Sequence, residues 1–388
     1  MIHRYITQEI QEKLSRSPAV AILGPRQVGK TTLAKLIAKS NLASFTYLDA
    51  ENPRDMAKLA DAYTYLDSLR NSCVIIDEVQ LMPELFSLLR PLIDEDRSPG
   101  RFILLGSASP ALVKGVSESL AGRISYTELT PVGLSELTET QQKEHHWFRG
   151  GFPEALLANS EATAKEWLDD FIRSYVERDL AYLFGVELSP ATLRNFWRML
   201  AHSNGNVWNA EVFARSLGIT APTVLRYTSF LEGGYMIRRL QPWFVNAKKR
   251  LVKSPKVYIR DTGILHRLLF IDSTEDLYGH PGIGGSWEGY VIEQIAQRIS
   301  KGLELFYYRT QAGAECDLVL VRGITPIACV EIKLTNAPMV SKGFISCTED
   351  LEPAYKFIIT PSSDTYTTAH SVTVISLFNF LETDLNKI

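Results

Sequence analysis

Cysteine is scarce in this chain. Four occur in 388 residues (Cys73, Cys316, Cys329 and Cys347), and no two have C-x-x-C spacing. That argues against a disulfide scaffold and against a thiolate zinc site. Three of the four lie in or beside apolar strand-like runs, so buried reduced thiols are expected. Long hydrophobic runs are also missing. None approaches the roughly 18 apolar residues of a membrane span, so no membrane partner is expected. Met1-Ile2-His3-Arg4-Tyr5 lacks the pattern of a signal peptide, and the expected location is the cytoplasm. The composition, 45% hydrophobic and 22% charged, is that of an ordinary globular protein. The length suggests two or three domains. Overall charge of one sign is lacking too: the net value is −3. Its distribution is uneven. Gly205 to Arg260 holds ten Lys and Arg against two acids, a local excess of +8, so the rest of the chain carries −11. Such asymmetry points to a polyanion partner at that segment; the alternative is a solvated basic face.

What the sequence has is a phosphate-binding pattern. Gly24-Pro25-Arg26-Gln27-Val28-Gly29-Lys30-Thr31-Thr32 fits G-x-x-x-x-G-K-[ST]. The apolar run Ala19-Val20-Ala21-Ile22-Leu23 reads as a buried strand before it, and Leu33 to Ala38 as a helix after it. Glycines let backbone N–H groups approach phosphate oxygens, and the helix N-terminus adds partial positive charge. Lys30 is placed for the β- and γ-phosphates of ATP, and the Thr31 hydroxyl for Mg²⁺.

Further strand-like runs are Ser44 to Leu48, Cys73 to Ile76, Arg101 to Leu105 and Ile124 to Leu129, with helical patterns between them. This alternation predicts a parallel sheet covered on both faces. The run ending at Ile76 is followed by Asp77-Glu78. Asp77 is the expected Mg²⁺ partner, and Glu78 the group that polarises the attacking water. Ser107, in Gly106-Ser107-Ala108-Ser109, is a candidate γ-phosphate sensor, the alternative being an ordinary turn. Arg123, in Ser119-Leu120-Ala121-Gly122-Arg123, is a candidate arginine finger, in cis or on a neighbouring subunit. Its alternative is a surface arginine.

Taken together, the phosphate loop, Ile76-Asp77-Glu78-Val79-Gln80, Leu105-Gly106-Ser107 and Leu120-Ala121-Gly122-Arg123 resemble the AAA+-type ATPase of a widespread prokaryotic family. In that family the ATPase precedes a C-terminal domain of unknown function. The resemblance implies a five-stranded ASCE order, with an extra strand between the phosphate-loop strand and the Asp77 strand. It also implies that Phe152 and Pro153, in Arg149-Gly150-Gly151-Phe152-Pro153-Glu154, pack on the adenine; the spacing itself indicates only a turn and a helix start. Self-assembly through the ATPase module is an expectation that rests on Arg123.

Four segments are predicted: a P-loop ATPase over 1–140, a helical lid or connector over 141–186, a winged helix over 187–254 and an α/β restriction-endonuclease-like domain over 255–388. In the connector, Trp167, Phe171, Tyr175 and Leu180 read as core, and Glu177-Arg178-Asp179 reads as a surface ion cluster, the alternative being a reach back to the nucleotide. Asn209 to Tyr227 reads as helix, glycine turn, helix, with Val212, Phe213, Leu217, Val224 and Leu225 between the helices. Thr223, Arg226 and Ser229 would face a DNA groove, and Lys248-Lys249-Arg250 would contact phosphates. Tyr235 to Leu240 and Lys256 to Ile259 read as wing strands. A packing module beside the ATPase is the alternative.

In the last segment, Glu288 lies on a helical run, Asp317 at the start of one strand-like run and Glu331-Ile332-Lys333 at the end of the next. A hairpin brings such positions together. Two acids and a lysine converging on one point are what metal-assisted phosphodiester hydrolysis requires. Glu288, Asp317 and Glu331 are the expected Mg²⁺ ligands, Glu331 and Lys333 the expected catalytic pair, and Arg309 and Gln311 candidate phosphate contacts. With Glu288, the pattern resembles the PD-(D/E)xK nuclease superfamily. An edge ion pair, an inactive relic and a binding domain without cleavage are the alternatives. The function expected is ATP turnover coupled to action on nucleic acid, DNA favoured. The competing expectation is an ATP-gated switch that binds nucleic acid or protein without cutting; a weaker third is a protein-remodelling ATPase.

Overall fold

The structure, a computed structural model, describes residues 2–41, 44–109, 120–181, 189–244 and 251–388. The chain divides into two compact units. The first comprises Met1–Val132, Arg173–Ser189 and Thr228–Met236, and the second Gly133–Ile172, Pro190–Tyr227 and Ile237–Ile388.

The first unit is built on five parallel strands: β1 (Ala19–Leu23), β2 (Phe45–Asp49), β3 (Cys73–Asp77), β4 (Phe102–Gly106) and β5 (Ile124–Glu128). Their order is β2-β3-β4-β1-β5, so β4 lies between the phosphate-loop strand and the strand ending in Asp77, as the resemblance implies. β1, β3 and β4 are buried along their whole length. That explains their continuous Val, Ile and Leu runs, because a central parallel strand has helices on both faces. The register sets Leu23 beside Gly106 and Asp49 beside Asp77. The residues that follow β1, β3 and β4 therefore emerge at one edge of the sheet, where open parallel sheets bind ligands. Phe86, Leu89 and Ile93 of the helix Pro83–Glu95 join Leu85 and the β3 and β4 side chains in the core. Each such side chain contributes roughly 1.5–3 kcal/mol by leaving water.

The second unit is organised by an eight-stranded mixed sheet. Its strands are β6 (Ile237–Pro242), β7 (Lys256–Ile259), β8 (Leu303–Arg309), β9 (Glu315–Arg322), β10 (Thr325–Ile332), β11 (Tyr355–Thr360), β12 (Tyr366–Thr367) and β13 (Thr373–Ser376). β9 and β10 form the expected hairpin, turning at Gly323-Ile324 with Gly323 at φ +62°. Such left-handed backbone suits glycine in a tight turn. Alternate residues serve opposite faces. Leu318, Leu320, Ala328 and Val330 meet the helix Ile283–Ala296, whereas Val319, Val321 and Cys329 meet the helix Lys342–Leu351. This is the period of two that strands impose. All four cysteines are free and buried.

Two packing expectations are corrected here. β6 and β7 pair antiparallel, as wing strands would, but β6 also pairs in parallel with β8. They form the edge of the large sheet, which runs past residue 254 without a break. In the helix pair Ala210–Leu217 and Ala221–Gly233, Phe213 and Val224 are buried, but Val212 is 46% and Leu225 44% exposed. Aromatic contacts replace them: Phe196 lies 5.7 Å from Phe213 and 6.0 Å from Tyr227.

Candidate functional site

The phosphate loop joins β1 to the helix Lys30–Asn41. Gly24 has φ +153°, and a Cβ there would sit 2.1 Å from the Leu129 carbonyl oxygen. Gln27 and Gly29 also adopt positive φ, 65° and 93°. Lys30 opens the helix and is buried. Its ammonium donates to the carbonyls of Gly24 (3.0 Å) and Pro25 (2.8 Å) and lies 3.1 Å from Ser107 Oγ. Burial pulls its pKa down to about 8, against the opposing pull of Glu78 and Asp77. A desolvated ammonium held only by neutral oxygens is primed for an anion.

Thr31 Oγ1 donates to Asp77 Oδ2 at 2.6 Å. One hydroxyl and one carboxylate in contact fit a Mg²⁺ ion, because this ion takes most of its ligands from water and phosphates. Mg²⁺ there would neutralise charge on the β- and γ-phosphates. Glu78 stands in left-handed backbone, φ 52° and ψ 43°, a conformation that non-glycine residues hold mainly at functional sites. Its carboxylate accepts from Ser107 Oγ at 3.1–3.2 Å. Ser107 thus bridges Lys30 and Glu78.

Two neighbours were not foreseen, and Arg26, expected as part of the phosphate loop, makes contacts beyond it. The Tyr47 hydroxyl donates to Asp77 Oδ2 at 2.9 Å. Gln80 donates to Glu78 through Nε2 and accepts from Ser107 N–H (3.2 Å) through Oε1. Arg26 donates to Asp179 Oδ1 (2.8 Å) and Glu51 Oε1 (2.7 Å). Burial opposes its charge, but Glu78, Asp179 and Glu51 more than restore it, and its pKa is raised. Asp179 is therefore no surface acid: it is 4% exposed and bound to the phosphate loop. The sequence signals available were Gln80 two residues past Glu78 and Tyr47 on the strand beside β3.

Arg123 lies elsewhere. It precedes β5, whose Ile124 is in register with Ala19. Roughly 13 Å of strand therefore separates it from the loop end of β1. Its guanidinium forks onto Asp94 at 2.9 and 2.7 Å. An action in cis on this chain's own phosphate loop is corrected by that topology; the neighbouring-subunit role and the surface arginine remain. Pro153 belongs to the second unit. There it begins the helical turn Pro153–Leu156, and Gly151 N–H donates to the buried Asp261 carboxylate at 2.8 Å. Phe152 packs against Phe171, with centroids 4.8 Å apart. Lys248, Lys249 and Arg250 lie outside the described residues, as does Ser119. Arg226 is exposed, and the Thr223 hydroxyl pairs with Thr220 Oγ1 at 2.9 Å.

The second unit's cluster is arranged differently from its expectation. The hairpin brings Asp317 Oδ2 to the Ile332 N–H at 2.8 Å, and at the end of β10 Lys333 Nζ lies 2.9 Å from Glu331 Oε1. Glu288, however, faces an unforeseen cation. Lys256 Nζ lies 2.9 Å from Glu288 Oε1 and 2.7 Å from Glu315 Oε1, and the Tyr258 hydroxyl donates to Glu288 at 2.5 Å. Burial of Lys256 is outweighed by Glu288, Asp317 and Glu315, which push its pKa up. Burial and the nearby Glu288 raise the Asp317 carboxyl to about 7. Among the described residues, no group of three or more His, Cys, Asp or Glu side chains is placed to hold a metal ion. The expected metal set of Glu288, Asp317 and Glu331 is corrected accordingly: Lys256 supplies the positive charge that a cation would. Arg309 lies 3.5 Å from Glu315. Glu331 Oε2 is buried without a protein partner.

The strand order and the Lys30, Thr31, Asp77, Glu78 and Ser107 constellation define the first unit as an AAA-type P-loop ATPase domain. An AAA-domain family model matches residues 16–138. Two domains of unknown function match the rest, DUF8612 over 140–275 and DUF4143 over 283–380. The uncharacterized protein Rv2008c of Mycobacterium tuberculosis is 41% identical over 374 residues, 96% of this chain and 83% of that protein. The chain belongs to the family of that mycobacterial protein. The uncharacterized protein MJ1544 of Methanocaldococcus jannaschii is 22% identical over 379 residues, 90% of this chain and 83% of that protein. Among solved structures, the Walker-type ATPase PABY2304 of Pyrococcus abyssi aligns with TM-score 0.48 and 16% identity, over 69% of this chain and 96% of that one. Among the described residues, no helix is long and apolar enough to cross a membrane.

Proposed function

We propose that this protein is an ATP-hydrolysing switch whose nucleotide state gates the binding of nucleic acid, DNA foremost, by the remainder of the chain, without cleavage. The observation that carries the reading is a contrast of charge. The ATPase site presents an under-neutralised lysine to phosphate, whereas the Glu288, Glu315 and Asp317 carboxylates already surround their own cation in Lys256. The nuclease-like fold belongs to the proposal as a scaffold: Glu288 on a helix, Asp317 on β9 and Glu331 on β10 supply the superfamily's pattern of acids. Nucleic-acid contact is assigned to Thr223, Arg226 and the Lys248-Lys249-Arg250 run, within the segment of excess positive charge. Neighbouring copies would supply Arg123 to one another.

The test is DNA binding by the full chain with ATP, with ADP and with neither, across a salt series. Binding that changes at least tenfold with nucleotide, and weakens as salt rises, is expected. Salt-independent binding, or binding indifferent to nucleotide, overturns the proposal. Mg²⁺-dependent cleavage of plasmid or single-stranded DNA that Lys333→Ala abolishes, with ATP turnover retained, replaces it with the nuclease reading.

A further inference from the structure

We propose that Arg26 is a second catalytic cation of the ATPase site, acting in cis on the γ-phosphate, and that Asp179 is the positioning residue that aims it. The inference rests on the ATPase assignment. In the reaction, water attacks the γ-phosphorus and the bond from that phosphorus to the β–γ bridging oxygen breaks. The water's proton passes to Glu78 and then to solvent. ADP leaves with the electron pair of the broken bond on its β-phosphate. Negative charge develops on the γ-oxygens and the leaving oxygen, and a fixed cation beside them lowers the barrier. Arg123 is at the wrong end of the sheet to supply it within this chain.

Arg26 is in the loop itself, four residues before Lys30. Glu78, the residue expected to polarise the water, exerts the largest of the charge interactions on its guanidinium. The guanidinium thus belongs to the same charged neighbourhood as Glu78, Asp179 and Glu51. Its two terminal nitrogens are held by Asp179 and Glu51 at 2.8 and 2.7 Å, a pair of anchors that fixes the plane of the fork. Asp179 is itself fixed. It ends a π-helical turn, Tyr175–Asp179, a feature often found at functional sites. The Tyr175 hydroxyl donates to the Gly234 carbonyl at 3.3 Å, and a Cβ on Gly234 would lie 1.9 Å from that hydroxyl. The adjacent Gly233 carbonyl accepts from the Ser109 N–H at 2.8 Å, two residues past Ser107. Arg26 and the end of β4 are thus braced by the same two segments, Arg173–Ser189 and Thr228–Met236, that complete this unit.

The test uses the full chain with Arg26→Ala, Arg26→Lys and Asp179→Asn. Steady-state ATP hydrolysis is read beside the affinity for a fluorescent ATP analogue and the trapping of fluorescent ADP by aluminium fluoride. Arg26→Ala is expected to lose at least ~10²-fold in kcat, to bind the ATP analogue within about threefold of the parent, to lose trapping and to recover part of its turnover with added guanidinium ion. Arg26→Lys, which keeps the charge and loses the fork, is expected to lose about tenfold. Asp179→Asn is expected to lower kcat about tenfold with KM unchanged. Retention of kcat within threefold in Arg26→Ala overturns the inference. So does a kcat loss matched by an equal loss of affinity, or retained trapping. Should Arg26→Ala not fold, Arg26→Lys with full kcat overturns it equally. If the parent chain neither binds the analogue nor hydrolyses ATP, the ATPase assignment fails instead, a result distinct from all of these.

Discussion

The two units each bury a lysine among acids, and the surroundings drive the two ammonium groups in opposite directions. Lys30 touches two carbonyls and a serine hydroxyl, and its pKa falls to about 8. Lys256 touches the carboxylates of Glu288 and Glu315, and its pKa rises. The first site stands on loops at the strand ends, with left-handed backbone at Gln27, Gly29 and Glu78. The second stands on strands and a helix, where Lys256 and Glu315 are ladder residues. Lys30, with no carboxylate in contact, favours an arriving anion, whereas Lys256 is already neutralised by the carboxylates it touches. Residue type alone does not separate these two lysines; the carboxylates in contact with each do.

The sharpest way to break this comparison is to remove each lysine. Lys30→Ala is expected to reduce ATP turnover by at least ~10³-fold without lowering the melting temperature, since the deleted ammonium was held at a desolvation cost. A protein that still turns over ATP normally would refute the assignment of the loop. Lys256→Met should do the reverse and leave ATP turnover alone. It strands Glu288, Glu315 and Asp317 without their cation, for a loss of about 3–5 kcal/mol and a melting transition lower by on the order of 10 °C. Unchanged melting would show that the second cluster is not self-neutralised.

A smaller effect follows from protons. Phosphate binding requires Lys30 charged, and its pKa in the free protein is about 8. Above that pH, ATP must bring a proton with it. KM for ATP is expected to be flat below pH 8 and to climb toward tenfold per unit above it. In terms of stability, the unfolded lysine titrates near its ordinary 10.5, so between pH 8 and that value the unfolded state binds more protons. This group therefore adds stability as pH rises through the window. A KM that ignores pH between 7 and 9.5 would contradict the desolvated state of Lys30.

How much of this was legible before folding depends on sequence distance. The phosphate loop is contiguous, so its glycines, Lys30 and Thr31 announced both the backbone and the chemistry. Asp77-Glu78 followed because β3 is an apolar run that stops at two acids. The position of β4 came from the family resemblance. Arg26 and Asp179 are 153 residues apart, and no local pattern links them; Glu177-Arg178-Asp179 looks like any solvated charge run. Lys256 reads as part of a wing strand, and nothing local marks it as the partner of Glu288, 32 residues on. Val212 and Leu225 misled for another reason. Short helices carry only two or three turns of pattern, so large aromatics such as Phe196, Phe213 and Tyr227 decide which face is buried.

The finest distinction lies inside the second cluster, at Asp317. Its carboxyl is raised to about 7 by burial and by Glu288, although Lys256 and the Ile332 N–H pull the other way. Its ordinary value is 3.8. Between 3.8 and 7 the folded state therefore holds the proton more tightly than the unfolded state. Stability from this group is complete below 3.8 and is lost as pH rises through 7. Asp317→Asn keeps an acceptor for the Ile332 N–H and removes the titration. The variant is expected to melt above the parent at pH 8, with the gap closing at pH 5. A gap of the same size at both pH values would mean that Asp317 is ionised throughout. The cluster would then carry a further full negative charge beside Lys256, and the balance that separates it from the ATPase site would narrow.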